Sequence, residues 1–269
     1  MKKNIKAIAI LLTLVCSAFS ISADERKPTK PARKPVKLPG MLIDFEKRCV
    51  DLEATVCLDK GLLELVACTK GSKQHESIVA VSSKAMHIHT ALLLLGANNG
   101  HPAMRKQVGE EEKRWVNIPP KGDLVDVFLV VTNKAGKSIE RSISDFVVHS
   151  SQRVDEVDGD VINAPKQTKK GEGKKATRLP HTFVFAGSHL KDNGVGPRRY
   201  LADSSGNVIS IATFGDETLC LPFHQTQENN ALMWQIKPNS LPKQGTKVTL
   251  RLRPQVRKAE LNDNKKSGQ

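Results

Sequence analysis

The sequence predicts an α+β fold, mostly antiparallel β with one principal helix at about residues 84–95, its strands falling into two β-rich lobes that can share a core. Three observations carry that expectation. Residues 49–58 put Val50, Leu52, Ala54, Val56 and Leu58 on one side and Cys49, Asp51, Glu53, Thr55 and Cys57 on the other, the period of two of a half-buried strand. Residues 84–95 end in the run Leu92–Leu95 and lie between a candidate N-cap, Ser83, and a candidate C′ residue, Gly96, so a helix covered on most sides is expected. Residues 165–180, PKQTKKGEGKKATRLP, interrupt the chain with charge, glycine and proline and have no apolar period.

The chain opens with Lys2, Lys3 and Lys6, an apolar stretch from Ile8 to Val15, and the small residues Ser20, Ser22 and Ala23. Charge, length and cleavage site together read as a secretory signal peptide over 1–23. Cys16 lies where a lipoprotein cysteine would, but Val15 before it is too bulky for that processing. No later apolar run is long enough to span a bilayer. An exported protein, periplasmic or secreted and not transmembrane after cleavage, is therefore expected.

Residues 24–40 follow as a Pro/Lys-rich tether, with order expected near Met41. MLID and Phe45 at 41–45 read as a first strand, 49–58 as a second and Leu62–Cys68 as a third. A polar turn, Thr69–Gln74, leads into a strand over Ser77–Ser82 and then the helix. Residues 97–123 read as irregular. Leu124–Thr132 and Arg141–Ser150 read as strands closing a first lobe, 41–164, with a turn at Asp158-Gly159. Beyond the 165–180 linker, His181–Phe185, Arg199–Ala202, Val208–Thr213, Leu219–Leu221 and Lys247–Arg253 read as the strands of a second lobe, 181–253, and 254–269 as a disordered tail.

The net charge of +14 is unevenly placed. The signal segment and the segments 24–39, 165–180 and 254–269 account for all of it, so the rest of the chain is neutral in sum. Nucleic-acid recognition calls for a basic stripe on a folded element with aromatics to stack on, and aromatics make up only 4% of this chain. Specific nucleic-acid binding is not expected; loose contact of the basic tails with anionic surfaces is.

The run LLELVACTKGSKQHESIVAV at 62–81, the His-x-His start of the helix at 87–95, FVFAGS at 183–188 and the last strand resemble the YdjY-type domain, a family of bacterial exported and envelope proteins whose biochemical activity is not established. The resemblance runs from about residue 41 to 253, with 165–180 as an insertion. It implies domain identity and an envelope setting, and brings no assigned catalytic or ligand residues with it.

Past Cys16 the cysteines are Cys49, Cys57, Cys68 and Cys220, an even number that suggests disulfides in an oxidising compartment. Cys49 and Cys57 on one straight strand would stand roughly 26 Å apart, beyond disulfide reach. Cys57 and Cys68, on consecutive strands joined near Gly61, form the more reachable candidate disulfide. The alternative is that the thiols are buried as small hydrophobes, the preferred reading for Cys220 between two leucines. With no C-x-x-C, an iron–sulfur cluster is not expected.

His87 and His89 form an H-x-H pair that would grip a metal ion on a strand, whereas on a helix they point about 200° apart. Cys68, His75 and Glu76 supply a nucleophile, a base and an orienting acid, but no oxyanion-forming motif accompanies them. The candidate functional centre is therefore the place where the turn 69–76 meets the helix start, with Cys68, His75, Glu76, His87 and His89. Asp155–Asp160 fails the register of a calcium loop. The function expected is an exported, non-catalytic binding or interaction module of the bacterial envelope, with an envelope protein or ligand as partner. No cofactor is expected, a metal ion at His87 and His89 being the one left open. A thiol- or metal-dependent enzyme with a Cys/His centre is the alternative.

Overall fold

The computed structural model describes residues 33–109, 114–133, 135–150, 178–225 and 232–255. The signal segment, residues 24–32, the Asp158-Gly159 turn, residues 165–177 and the tail from 256 lie outside the described residues. Order begins earlier than Met41: β1 (Val36–Leu38) pairs antiparallel with β2 (Met41–Asp44) across a turn in which Gly40 has φ +73°. The end of the 24–40 tether is thus a strand.

The chain continues through β3 (Cys49–Val56), β4 (Leu65–Thr69), β5 (Ser77–Val81) and helix α1 (Ala85–Leu94). Four short strands follow, β6 (Asn99–His101), β7 (Met104–Val108), β8 (Arg114–Ile118) and β9 (Lys121–Gly122), then the long β10 (Leu124–Thr132). β11 (Ser138–Ser142), a 3-10 turn over Ile143–Phe146 and β12 (Val147–His149) replace the single strand expected over 141–150. The later part of the chain forms β13 (Thr182–Phe185), β14 (Leu190–Lys191), β15 (Arg199–Tyr200), helix α2 (Leu201–Ser205), β16 (Asn207–Ser210), β17 (Leu219–Cys220), β18 (Trp234–Ile236) and β19 (Lys247–Pro254).

Eight of these strands close a barrel in the order β3-β19-β10-β13-β17-β16-β4-β5, with β5 pairing back onto β3. The pairs β16–β17 and β4–β5 are parallel; the others in the wall are antiparallel. The α+β expectation is therefore corrected: the protein is mostly β, built on a closed eight-stranded barrel, and α1 is one ten-residue cover on it. Closure depends on β19 inserting between β3 and β10 and on β5 reaching β3, pairings that no local pattern encodes.

One side of the wall keeps the alternation seen in the sequence. Leu250 faces Leu129 and Leu52 across its two neighbours, and Leu252 faces Val127 and Val50, so a continuous aliphatic layer lines the interior. On the outer face of the same strands Arg251 binds Asp51 through Nε and Nη2 at 2.6 and 2.7 Å and Glu140 through Nη1 at 2.6 Å. The other side of the wall, β4, β5, β13, β16 and β17, is buried on both faces, which erases the alternation there.

α1 ends as expected, with Gly96 at φ +86° and the amide of Ala97 bonded to the Leu92 carbonyl. Its start differs. Lys84 is the N-cap residue without a side-chain bond, and Ser83 turns away to donate to the Pro39 carbonyl at 3.1 Å. The free amide of Met86 is satisfied instead by Asp203 of α2 at 3.2 Å. The four leucines divide as well: Leu92 and Leu95 are buried, while Leu93 and Leu94 face solvent. Among the described residues no helix is long and apolar enough to cross a membrane.

Candidate functional site

The turn after β4 organises a polar group around Cys68. Cys57 and Cys68 are buried in one cluster with Leu65 and Ala80, against which Phe214 packs. Their backbones are not neighbours. The amide of Cys57 bonds Ile78 on one edge of β5, and Cys68 pairs with Ala80 on the other. Both are free and buried thiols. With β5 between them and a two-residue offset along it, the Cα atoms stand on the order of 11–12 Å apart, whereas a disulfide needs about 4.4–6.8 Å. The consecutive-strand picture behind the candidate disulfide thus missed the strand in the middle.

The Cys57 thiol donates to the Thr55 carbonyl at 3.5 Å; as neighbours the two thiols titrate apart, Cys68 held below the usual thiol range against burial and Cys57 pushed up. Ser72 and Ser77 also reach Cys68. Their hydroxyls donate to the carbonyls of Thr69 and Lys73, both at 2.6 Å. Each hydroxyl has one proton, so it must turn from its carbonyl to favour a Cys68 thiolate.

His75 and Glu76 lie on the rim of this group. The His75 side chain is 79% exposed, with Nε2 3.7 Å from Glu76. Glu76 also receives Lys73 Nζ at 3.5 Å. Beside it the largely buried Glu64 has its pKa raised, first by burial and then by the Glu76 carboxylate.

His87 and His89 do not join this group. His87 is exposed. His89 turns inward, edge-on to Phe185 at 4.9 Å, with Nδ1 2.9 Å from the Tyr200 hydroxyl. That hydroxyl donates to the Gly187 carbonyl at 3.0 Å, so it accepts from a protonated Nδ1, and burial lowers the His89 pKa. Of the five candidate residues, Cys68, His75 and Glu76 lie around the turn, His89 lies at Tyr200, and His87 faces solvent. Among the described residues no group of three or more His, Cys, Asp or Glu side chains is placed to hold a metal ion.

The sequence reading missed a cleft of about 680 Å³ between the β7–β8 hairpin and the segment 213–224. Met104, Ile118, Pro119, Pro120 and Phe214 give it apolar wall, and Arg105, Asn117 and His224 give it polar groups. Glu217 holds the backbone of two lining residues, Phe214 and Gly215. This side chain is 0% exposed and accepts from the amides of Phe214 at 2.5 Å and Gly215 at 3.0 Å, while burial raises its pKa. Thr213 and Gln225 clasp the same segment through two backbone-amide bonds of 2.9 Å each. Phe214 therefore lies between cleft and thiol pair, and the Lys73 ammonium stands 3.5 Å from its ring centroid. Neither β7, MRKQV, nor β8, RWVNI, has an alternation to read, because both strands are exposed for most of their length. Glu217 carries no local motif at all.

Barrel, covering helix and cleft define a small β-barrel domain with a ligand-sized depression beside a buried pair of thiols. The chain belongs to the YdjY domain family, whose model matches residues 41–253. Comparison with curated proteins gives no match, and comparison with solved structures gives none.

Proposed function

We propose that this YdjY domain protein is an exported, non-catalytic binding module of the bacterial envelope, and that its ligand occupies the cleft between the β7–β8 hairpin and residues 213–224. The observation that carries the reading is the cleft: about 680 Å³ of mostly apolar wall with a few convergent polar side chains, the size and composition of a ligand site. A catalytic reading of Cys68, His75 and Glu76 lacks an approach, since Cys68 is 0% exposed beneath Phe214. The export half rests on the signal pattern of residues 1–23, and the neutral balance outside the basic segments fits a partner recognised by shape rather than by charge. The basic segments would add loose contact with anionic surfaces.

A screen for turnover of esters, disulfides and peptidoglycan fragments tests the first half. No activity is expected; an activity lost in Cys68→Ser or Glu76→Gln would overturn it. Cell fractionation with mass spectrometry tests the second, the expected product beginning near Asp24 in the periplasm or medium.

A further inference from the structure

The cleft beside the β7–β8 hairpin holds a guanidinium that nothing described around it neutralises. Arg105 is the only Lys or Arg among the lining residues, and no Asp or Glu lines the cleft. We propose that the cleft takes a small apolar carboxylate, its head held by Arg105 and Asn117 and its body against Phe214, Pro119 and Pro120. This assignment rests on the cleft as the ligand site and adds the ligand's chemistry.

The head is defined by the register of the hairpin. Arg105 and Asn117 stand directly opposite each other across β7 and β8, which sets their Cβ atoms about 4.5–5.5 Å apart on one face. A guanidinium and a side-chain amide there offer N–H donors side by side, and the two oxygens of a carboxylate accept from both. Among the described residues neither side chain has a hydrogen bond or an ion pair. Other arginines of the fold are neutralised: Arg251 and Arg253 by Glu140, Arg141 and Arg178 by Asp145. Glu217 does not compete for Arg105, because its carboxylate is engaged by the amides of Phe214 and Gly215.

The body follows from the rest of the wall. Phe214, Pro119 and Pro120 present rings without side-chain donors or acceptors, and the cleft volume of about 680 Å³ falls within the span of small-molecule sites. One guanidinium balances one negative charge. A phosphate monoester carries about 1.5–2 at neutral pH, and its excess would be left unpaired beside apolar rings. The chain outside its basic segments is neutral in sum, so long-range charge does not steer ligands to the cleft; Arg105 sorts them on contact.

Calorimetric titration of the full chain with decanoate and with decanol, at pH 7.5 and below the solubility limit of each, reads the head apart from the body. Decanoate should bind about tenfold more tightly or better, the effect of hydrogen bonds to a charged group. Arg105→Gln should bring decanoate down to the level of decanol and leave decanol unchanged. Lys106→Gln removes the same charge from the next residue of β7, which does not line the cleft, and should keep the preference. Both positions are exposed, so both variants should melt with the unaltered chain. Pro119→Asp, on the exposed apolar wall, should weaken both probes. Equal binding of the two probes, a preference that survives Arg105→Gln, or no binding of decanoate overturns the carboxylate assignment. If the probes bind equally and Pro119→Asp weakens both, the cleft still stands as a ligand site; if they bind and neither Arg105→Gln nor Pro119→Asp alters them, the cleft reading falls as well.

Discussion

Buried Glu64 and half-buried His89 have pKa values that move in opposite directions, and each makes stability depend on pH with its own sign. Glu64 has a raised folded-state pKa, so its contribution is fully present below the ordinary carboxyl range and is lost as pH rises through the folded value. At neutral pH its charge faces Glu76. Glu64→Gln should therefore raise the melting temperature at pH 7.5 by about 2 °C or more, with the gain shrinking toward pH 4.5; a variant less stable at pH 7.5 would contradict it. His89 has a lowered folded-state pKa, so its contribution is present above the unfolded value of about 6.5 and is lost as pH falls through that range. With Glu64→Gln in place to remove the opposing carboxyl, denaturant titrations from pH 7.5 to 5 should show stability falling, and adding His89→Gln should flatten that stretch. An unchanged slope would remove His89 as its cause. The turn around Cys68 was legible as a place of interest because polar residues crowd between two apolar runs. The residue that covers Cys68 was not, since Phe214 comes from far along the chain and sits in no pattern.

Among the elements, β3, β10 and β19 were legible because one face is wet and their alternation survives, while β4, β5 and β17 read only as short apolar runs. The region between α1 and β10 was read as irregular, yet it folds back on itself twice, in β6–β9 and β7–β8. Glycine makes the first of these approaches close enough. Gly122 has φ +149°, and a Cβ built there would stand 2.0 Å from the Phe185 carbonyl oxygen. Neither the backbone nor the contact accepts a methyl group, so Gly122→Ala should cost about 2–4 kcal/mol and loosen β9 from β13. Gly136→Ala is the control: φ is positive, +76°, but the space is open, and only the left-handed penalty of about 1–2 kcal/mol applies. Urea denaturation of the two variants reads the difference. Equal losses would mean that the close approach to Phe185 adds nothing.

For the whole molecule the decisive fact is how the two halves of the sequence share the barrel. Residues before 165 supply β3, β4, β5 and β10, and residues after 180 supply β13, β16, β17 and β19. In the wall these do not segregate. β19 lies between β3 and β10, and β13, β17 and β16 lie between β10 and β4. Every route from one half to the other therefore crosses a strand pairing, at β3–β19, β19–β10, β10–β13 and β16–β4. Two lobes inferred from a basic interruption were the natural sequence reading, because local composition marks where a chain changes character and says nothing of which strands will pair across it. Lys166, Lys169, Lys170, Lys174 and Lys175 offer trypsin a series of sites within that interruption. A single cut there leaves all four seams and the shared aliphatic interior intact, removing only a covalent tie whose loss costs loop-closure entropy. Brief trypsin treatment should first yield fragments ending and beginning within 165–178, and these should elute together on size exclusion at moderate salt, separating only in denaturant. Fragments that part without denaturant would show that the four seams do not hold the halves together, and the closed barrel would have to be given up as the unit of stability.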